Sequence, residues 1–142
     1  MEERELVENM VHHAYYDHDF NCARTVMIVL SKLWNVPIEE QTFKSAVGLH
    51  GAGGHGDQCG LVEGSLMYIG ILCPDEKQAV RLCNLFAGEF QKKFSSLLCR
   101  ELRPEGFKPG NPPHLCEKRT VEGILFTNDF LKRELPKQDG RC

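Results

Sequence analysis

The sequence predicts an all-α, single-domain bundle of about five to six helices, and three observations point to it. Apolar residues recur at steps of three and four along most of the chain, as they do on helices with one buried face. No stretch alternates apolar and polar residues with the period of two that a half-buried strand requires. The breaks between periodic stretches carry Pro, Gly, Asn and Asp, the residues that start and stop helices. One domain fits the 142 residues. It is expected over residues 1–135, with a flexible polar tail over 136–142.

The elements follow in order. Leu6, Val7, Met10, Val11 and Ala14 place an amphipathic helix over about 5–16. Asp17 to Asn21 breaks it, and Asn21 is a good N-cap for a second helix over about 22–34. That helix is apolar almost all round and is predicted to be buried. Asn35-Val36-Pro37 turns the chain into a third helix over about 38–48, with Phe43, Ala46 and Val47 inward. Gly51-Ala52-Gly53-Gly54-His55-Gly56 holds too much glycine to favour a helix and is predicted as a loop. Asp57 is placed as N-cap of a helix over about 58–72. A long helix follows over about 75–98, with Val80, Leu82, Cys83, Leu85 and Phe86 in its apolar stripe. The stretch 103–113 is rich in Pro and Gly, and a last helix covers about 114–135.

Composition removes several classes of function. The net charge is −3 and the sequence pI about 6.1, so the basic footprint of a nucleic-acid binder is missing. The longest apolar stretch, Leu66 to Cys73, is interrupted by Gly70 and is too short to span a bilayer. Met1-Glu2-Glu3-Arg4-Glu5 lacks the basic region and apolar run of a signal peptide, so a cytoplasmic location is expected.

Seven cysteines are an unusual number for such a chain, and an odd count does not suit a fully paired framework. Cys22 directly follows the proposed N-cap. There, free N–H groups and the helix dipole are expected to lower its thiol pKa. Cys59 follows the glycine-rich loop and is placed in the first turn of its helix. Gly60 and Gly64 lie four apart and clear one helix face for close packing, at a cost of about 1 kcal/mol each relative to Ala. Cys99 is read as closing the long helix, and Cys116 as opening the last one. Cys73 and Cys83 have apolar neighbours and are assigned to the core, and Cys142 is terminal. No C-x-x-C pair occurs, so neither the thioredoxin-type dithiol nor the zinc-ribbon pattern is present. His50 and His55 flank the glycine loop and are weaker candidates to activate Cys59. His12, His13 and His18, with Asp17 and Asp19, read more readily as a solvated helix end than as metal ligands. The glycine loop lacks the lysine of a phosphate-binding loop and has no strand before it, so nucleotide binding is rejected.

Asn21-Cys22-Ala23, Cys59-Gly60-Leu61-Val62-Glu63-Gly64, Leu98-Cys99-Arg100-Glu101-Leu102 and the late Cys116 resemble the C_GCAxxG_C_C family, described as redox-active proteins with four signature cysteines. The resemblance spans about residues 5–133. Leu61 stands where the motif has alanine. The resemblance implies that Cys22, Cys59, Cys99 and Cys116 form one site, favoured over Cys73, Cys83 and Cys142. A cysteine-bearing region in a haem protein of sulfate reducers is similar too, and holds an iron–sulfur centre.

Three readings follow. In the first, the chain is a redox protein working with an unidentified redox partner by thiol–disulfide exchange or electron transfer, with Cys59 as the most reactive thiolate and Cys22 as its partner. As an enzyme it would be an oxidoreductase. In the second, Cys22, Cys59, Cys99 and Cys116 hold an iron–sulfur cluster or a zinc ion. In the third, the protein is a helical interaction module whose cysteines only pack. A homodimer is compatible with each.

Overall fold

A computed structural model describes residues 2–103 and 114–135. The predicted tail and most of the Pro/Gly-rich stretch lie outside the described residues.

Five helices of 13 to 19 residues build the bundle: α1 (Glu3–Tyr16), α2 (Cys22–Trp34), α4 (Gly60–Leu72), α5 (Glu76–Phe94) and α7 (Glu117–Glu134). Two short ones, α3 (Glu40–Ser45) and α6 (Cys99–Leu102), complete the regular α-helices among the described residues, and a 3₁₀ turn, Ala46–Gly48, extends α3. Gly51–Gly54 adds one irregular turn in which Ala52 and Gly53 have positive φ. No strand occurs among the described residues. A single antiparallel bridge pairs Gln58 with Leu98.

The all-α reading is correct, and the helix count exceeds the expected five to six. The surplus arises at 95–102. The long helix stops at Phe94, where Ser95 takes a left-handed conformation with φ 74°. The chain then bends at Leu97, is extended at Leu98 and begins a new helix at Cys99. Because apolar Leu97 and Leu98 continue the helical spacing, the break leaves no trace in periodicity.

Packing is tightest between α2 and α4, with α1, α5 and α7 around them. Val26, Met27, Val29 and Leu30 of α2 are completely buried, as its all-round apolar character predicts. Gly60 and Gly64 explain the close approach. A Cβ at Gly64 would lie 2.5 Å from the Ala23 carbonyl oxygen, and one at Gly60 would lie 2.8 Å from Cys22 Cβ. The predicted small-residue face is therefore occupied by the start of α2. At the far side, Phe86, Phe90, Phe126 and Phe130 pack α5 against α7, with the Phe86 and Phe130 rings 5.3 Å apart.

Four inward assignments fail. Val47 is 59% exposed, Val80 is 70% exposed and Leu85 is 37% exposed. Phe43 is half-buried because its ring holds the Arg24 guanidinium, 4.3 Å from the ring centre. The third helix also begins later than expected, at Glu40, since Val36–Glu39 is not helical.

Candidate functional site

Each of the four signature cysteines stands at the start of a helix. Cys22 is the first residue of α2, behind Asn21, whose side chain accepts the Arg24 N–H as the sequence predicts. The Asn21 amide also donates to the Ala46 and Val47 carbonyls, tying the third helix to this end of α2. Cys59 is the N-cap of α4 rather than a first-turn residue, because the helix begins at Gly60 and not at 58. Cys99 opens α6, which reverses the expectation that it closes the long helix. Cys116 is the N-cap of α7.

The bridge between Gln58 and Leu98 joins two of these starts. The Cys59 N–H donates to the Leu97 carbonyl at 2.8 Å, and the Cys99 N–H donates to the Asp57 carbonyl at 2.7 Å. Cys59 and Cys99 are thus diagonal neighbours on one side of a short antiparallel ladder. The glycine loop closes over this pair from Gly51, which has φ 75°. A Cβ there would meet Cys99 Cβ at 3.1 Å and Sγ at 3.3 Å. The loop therefore needs glycine for close approach to Cys99, although in the sequence it lies just before Cys59.

Cys59 and Cys99 are buried, while Cys22 and Cys116 are half-buried and line an open cleft of about 400 Å³. Tyr15 and His114 form one wall, with rings stacked 4.6 Å apart, and His114 Nε2 pairs with Asp19 at 3.0 Å. His114 and Asp19 both have positive φ, 60° and 54°. Such backbone is costly away from glycine and persists where the surrounding structure enforces it. Arg24, Arg103 and His50 lie along the rest of the cleft. His55 is exposed and does not line it. Thus of the two loop histidines only His50 reaches the cysteine region, on the side of Cys22 and Cys116.

Electrostatics link the cysteines into one set with Cys22 at its centre. Negative charge at Cys22 is felt at Cys59, Cys99, Cys116 and Tyr15. Burial dominates the ionisation of every member and holds each thiol neutral. It pushes Cys59 up to about 12, with Cys22 and Cys99 adding to the rise and the amides of Leu61 and Val62 opposing it. Cys116 is also pushed up to about 12, by burial and then by Cys22 and Cys99. Cys22 and Cys99 are raised for the same first reason. The Tyr15 hydroxyl, as hydrogen-bond donor, and the Arg103 charge pull Cys22 back. The helix-start argument therefore has the right sign and too small a size. Desolvation outweighs helix N–H groups, and neither Cys22 nor Cys59 is an activated thiolate in the resting protein.

Among the described residues no group of three or more His, Cys, Asp or Glu side chains has an arrangement that could hold a metal ion. The four thiols do not fit a cluster or zinc site in this arrangement, and His12, His13 and His18 do not form one either. His13 pairs with Asp17, and His12 with Glu117 at 3.2 Å. Cys83 is half-buried on α5 with a free thiol, and its sulfur lies 3.8 Å from the Leu66 carbonyl oxygen. Cys73 is in the core as expected, but as half of a disulfide rather than as a thiol.

Residues 20–130, which carry all four site cysteines, match the model of a family described as "Putative redox-active protein (C_GCAxxG_C_C)". The chain belongs to the C_GCAxxG_C_C family. No curated protein and no solved structure matches it. The departure from the family motif at Leu61 has a structural counterpart. Leu61 is buried against Gly123 of α7, where a Cβ would come within 3.1 Å of Leu61 Cδ1. This C_GCAxxG_C_C chain accommodates a large side chain beside its site because the facing helix offers a glycine.

Four site residues escaped the sequence reading: Tyr15, Arg24, Arg103 and His114. Tyr15 has the helical spacing of a core aromatic, and Arg103 and His114 flank a loop. The spacing from Val11 to Tyr15 places the latter on the buried face of α1, but nothing local reveals which sulfur its hydroxyl meets.

Proposed function

We propose that this protein carries electrons by thiol–disulfide exchange at Cys22, Cys59, Cys99 and Cys116. The observation that carries the reading is the meeting of four helix starts: Cys22 packs against Gly60 beside Cys59, Cys59 and Cys99 share one short ladder, and Cys22 and Cys116 line one cleft. Membership of a family described as redox-active supports it, and so does the lack of metal-holding geometry among the described residues.

The chemistry suits buried neutral thiols. A dithiol and a disulfide are both uncharged, so two-electron oxidation leaves no buried charge behind. In each cycle one thiol gives up its proton and its sulfur attacks a partner disulfide. The partner's S–S bond breaks and one partner thiol leaves with the electron pair and a proton. A second protein thiol then attacks the mixed disulfide, releasing the other partner thiol. Two electrons and two protons pass from the protein dithiol to the partner disulfide. Arg103, which opposes the rise at Cys22, Cys99 and Cys116, is the cation placed to favour the transient thiolate.

The test is a redox titration of anaerobically reduced protein against dithiol/disulfide buffers, with free thiols counted at each potential. Two thiols should disappear in one reversible step, and Cys22→Ser should abolish it. A thiol count that stays constant between about −300 and −120 mV would overturn the reading. So would iron at one or more atoms per chain in protein purified without air.

A further inference from the structure

The cleft beside Cys22 and Cys116 has features that electron storage alone does not require. At about 400 Å³ it is within the size range of small-molecule sites. Two of the four cysteines line it, and the other two are buried. Its charged lining is mainly cationic. Arg24 lies against both the Phe20 and Phe43 rings, 4.8 and 4.3 Å from their centres, where the two rings meet edge to face. Its Nε is buried and has no hydrogen-bond partner, and Arg24 has no ion-pair partner among the described residues. Arg103 adds a second guanidinium. The carboxylate of the lining, Asp19, is already opposed by His114 at 3.0 Å and sits out in solvent. Contact with two aromatic rings fixes the guanidinium, and its terminal N–H groups can meet an anion in the cleft that Arg24 lines.

We infer that the cleft binds a small carboxylate-bearing disulfide, whose carboxylate meets Arg24 and whose sulfurs meet Cys22 and Cys116. This rests on the thiol–disulfide reading above and names the class of oxidant that reading leaves open. The Cys22 thiol loses its proton, and its sulfur attacks the nearer substrate sulfur. The substrate S–S bond breaks and one carboxylate-bearing thiol departs, taking the electron pair and a proton. Cys116 then loses its proton and attacks the Cys22 sulfur of the mixed disulfide. The second small thiol leaves, and a Cys22–Cys116 disulfide closes. The substrate gains two electrons and two protons, and the protein loses the same. Tyr15 is a positioning residue here, holding the Cys22 sulfur through its hydroxyl while Thr120 anchors that hydroxyl at 2.6 Å.

Three disulfides of equal chain length provide the test: 3,3′-dithiodipropionate, bis(2-hydroxyethyl) disulfide and cystamine. They carry two negative charges, none and two positive charges. Each rate of thiol consumption in the reduced full-length protein is divided by the rate with dithiothreitol, which removes intrinsic reactivity. The dianion should react about tenfold faster than the neutral compound, with the dication slowest. The dianion-to-neutral ratio should fall towards one in Arg24→Gln and, independently of any variant, in wild-type protein at high salt. Equal normalised rates for the three compounds overturn the inference and leave the thiol–disulfide reading standing. A ratio that persists at high salt and in Arg24→Gln also overturns it. No reaction with any of the three, together with a flat redox titration, overturns both.

Discussion

At the scale of single residues the cysteines are governed by two opposed effects, and their sizes decide the outcome. Helix starts favour a thiolate by about 1 kcal/mol, while removing a thiolate from water costs several. Burial therefore dominates at Cys59 and Cys116, both pushed up to about 12. The consequence for stability has a definite sign. Between the ordinary thiol pKa and about 12, the folded protein keeps protons that the unfolded chain has released. The stabilisation is complete below the ordinary thiol pKa and is lost as pH rises through it towards 12. Reduced protein should therefore lose more than ~5 °C of Tm between pH 8 and pH 11, with a shallower fall in Cys59→Ser. Differential scanning calorimetry across that range checks it, and a pH-independent Tm would show that burial does not control these thiols. The sequence made Cys59 visible through its glycines, but it could not reveal the desolvation that keeps the thiol neutral.

At the scale of elements the decisive contact is between α2 and α4. The Gly60/Gly64 face lets Ala23 and Cys22 approach the α4 backbone and so brings two signature cysteines together. A methyl group at Gly64 would meet the Ala23 carbonyl at 2.5 Å, against backbone that cannot rotate away. Gly64→Ala should thus destabilise the protein by ~1–3 kcal/mol in urea unfolding and shift the midpoint potential of the cysteine site. A variant with wild-type stability would show that the helices separate freely. This face was legible because two glycines four apart in an apolar helix have few other purposes. The start of α6 was not legible. Leu97 and Leu98 continue the helical pattern, and the bridge that ends it depends on the distant Gln58.

At the scale of the whole molecule one core ties the site to the far end of the bundle. Leu61, beside the cysteine region, is buried against Gly123 of α7, and Phe86 of α5 packs on Phe130 of the same α7. The single tryptophan, Trp34, ends α2 and donates its indole N–H to Asn128 of α7 at 2.7 Å. Its fluorescence therefore reports the α2–α7 contact, whereas far-ultraviolet circular dichroism reports all the helices. The two denaturant transitions should coincide, because α1, α2, α4, α5 and α7 share one apolar core. Separate midpoints would mean that the Trp34 end of the bundle unfolds apart from the rest.

The sequence by itself determined the helical class, the Asn21 cap, the buried character of α2, the clear face of α4 and the family. These are local properties, set by spacing, capping chemistry and the missing Cβ of glycine, and they can be read without knowing what lies opposite. Only the tertiary structure decided that Cys99 begins a helix, that Gly51 serves Cys99, that the thiols stay protonated, and that Tyr15, Arg103 and His114 belong beside Cys22. Each depends on which residues, far apart in the chain, exclude water from the same few ångströms, and desolvation is a property of that assembled neighbourhood.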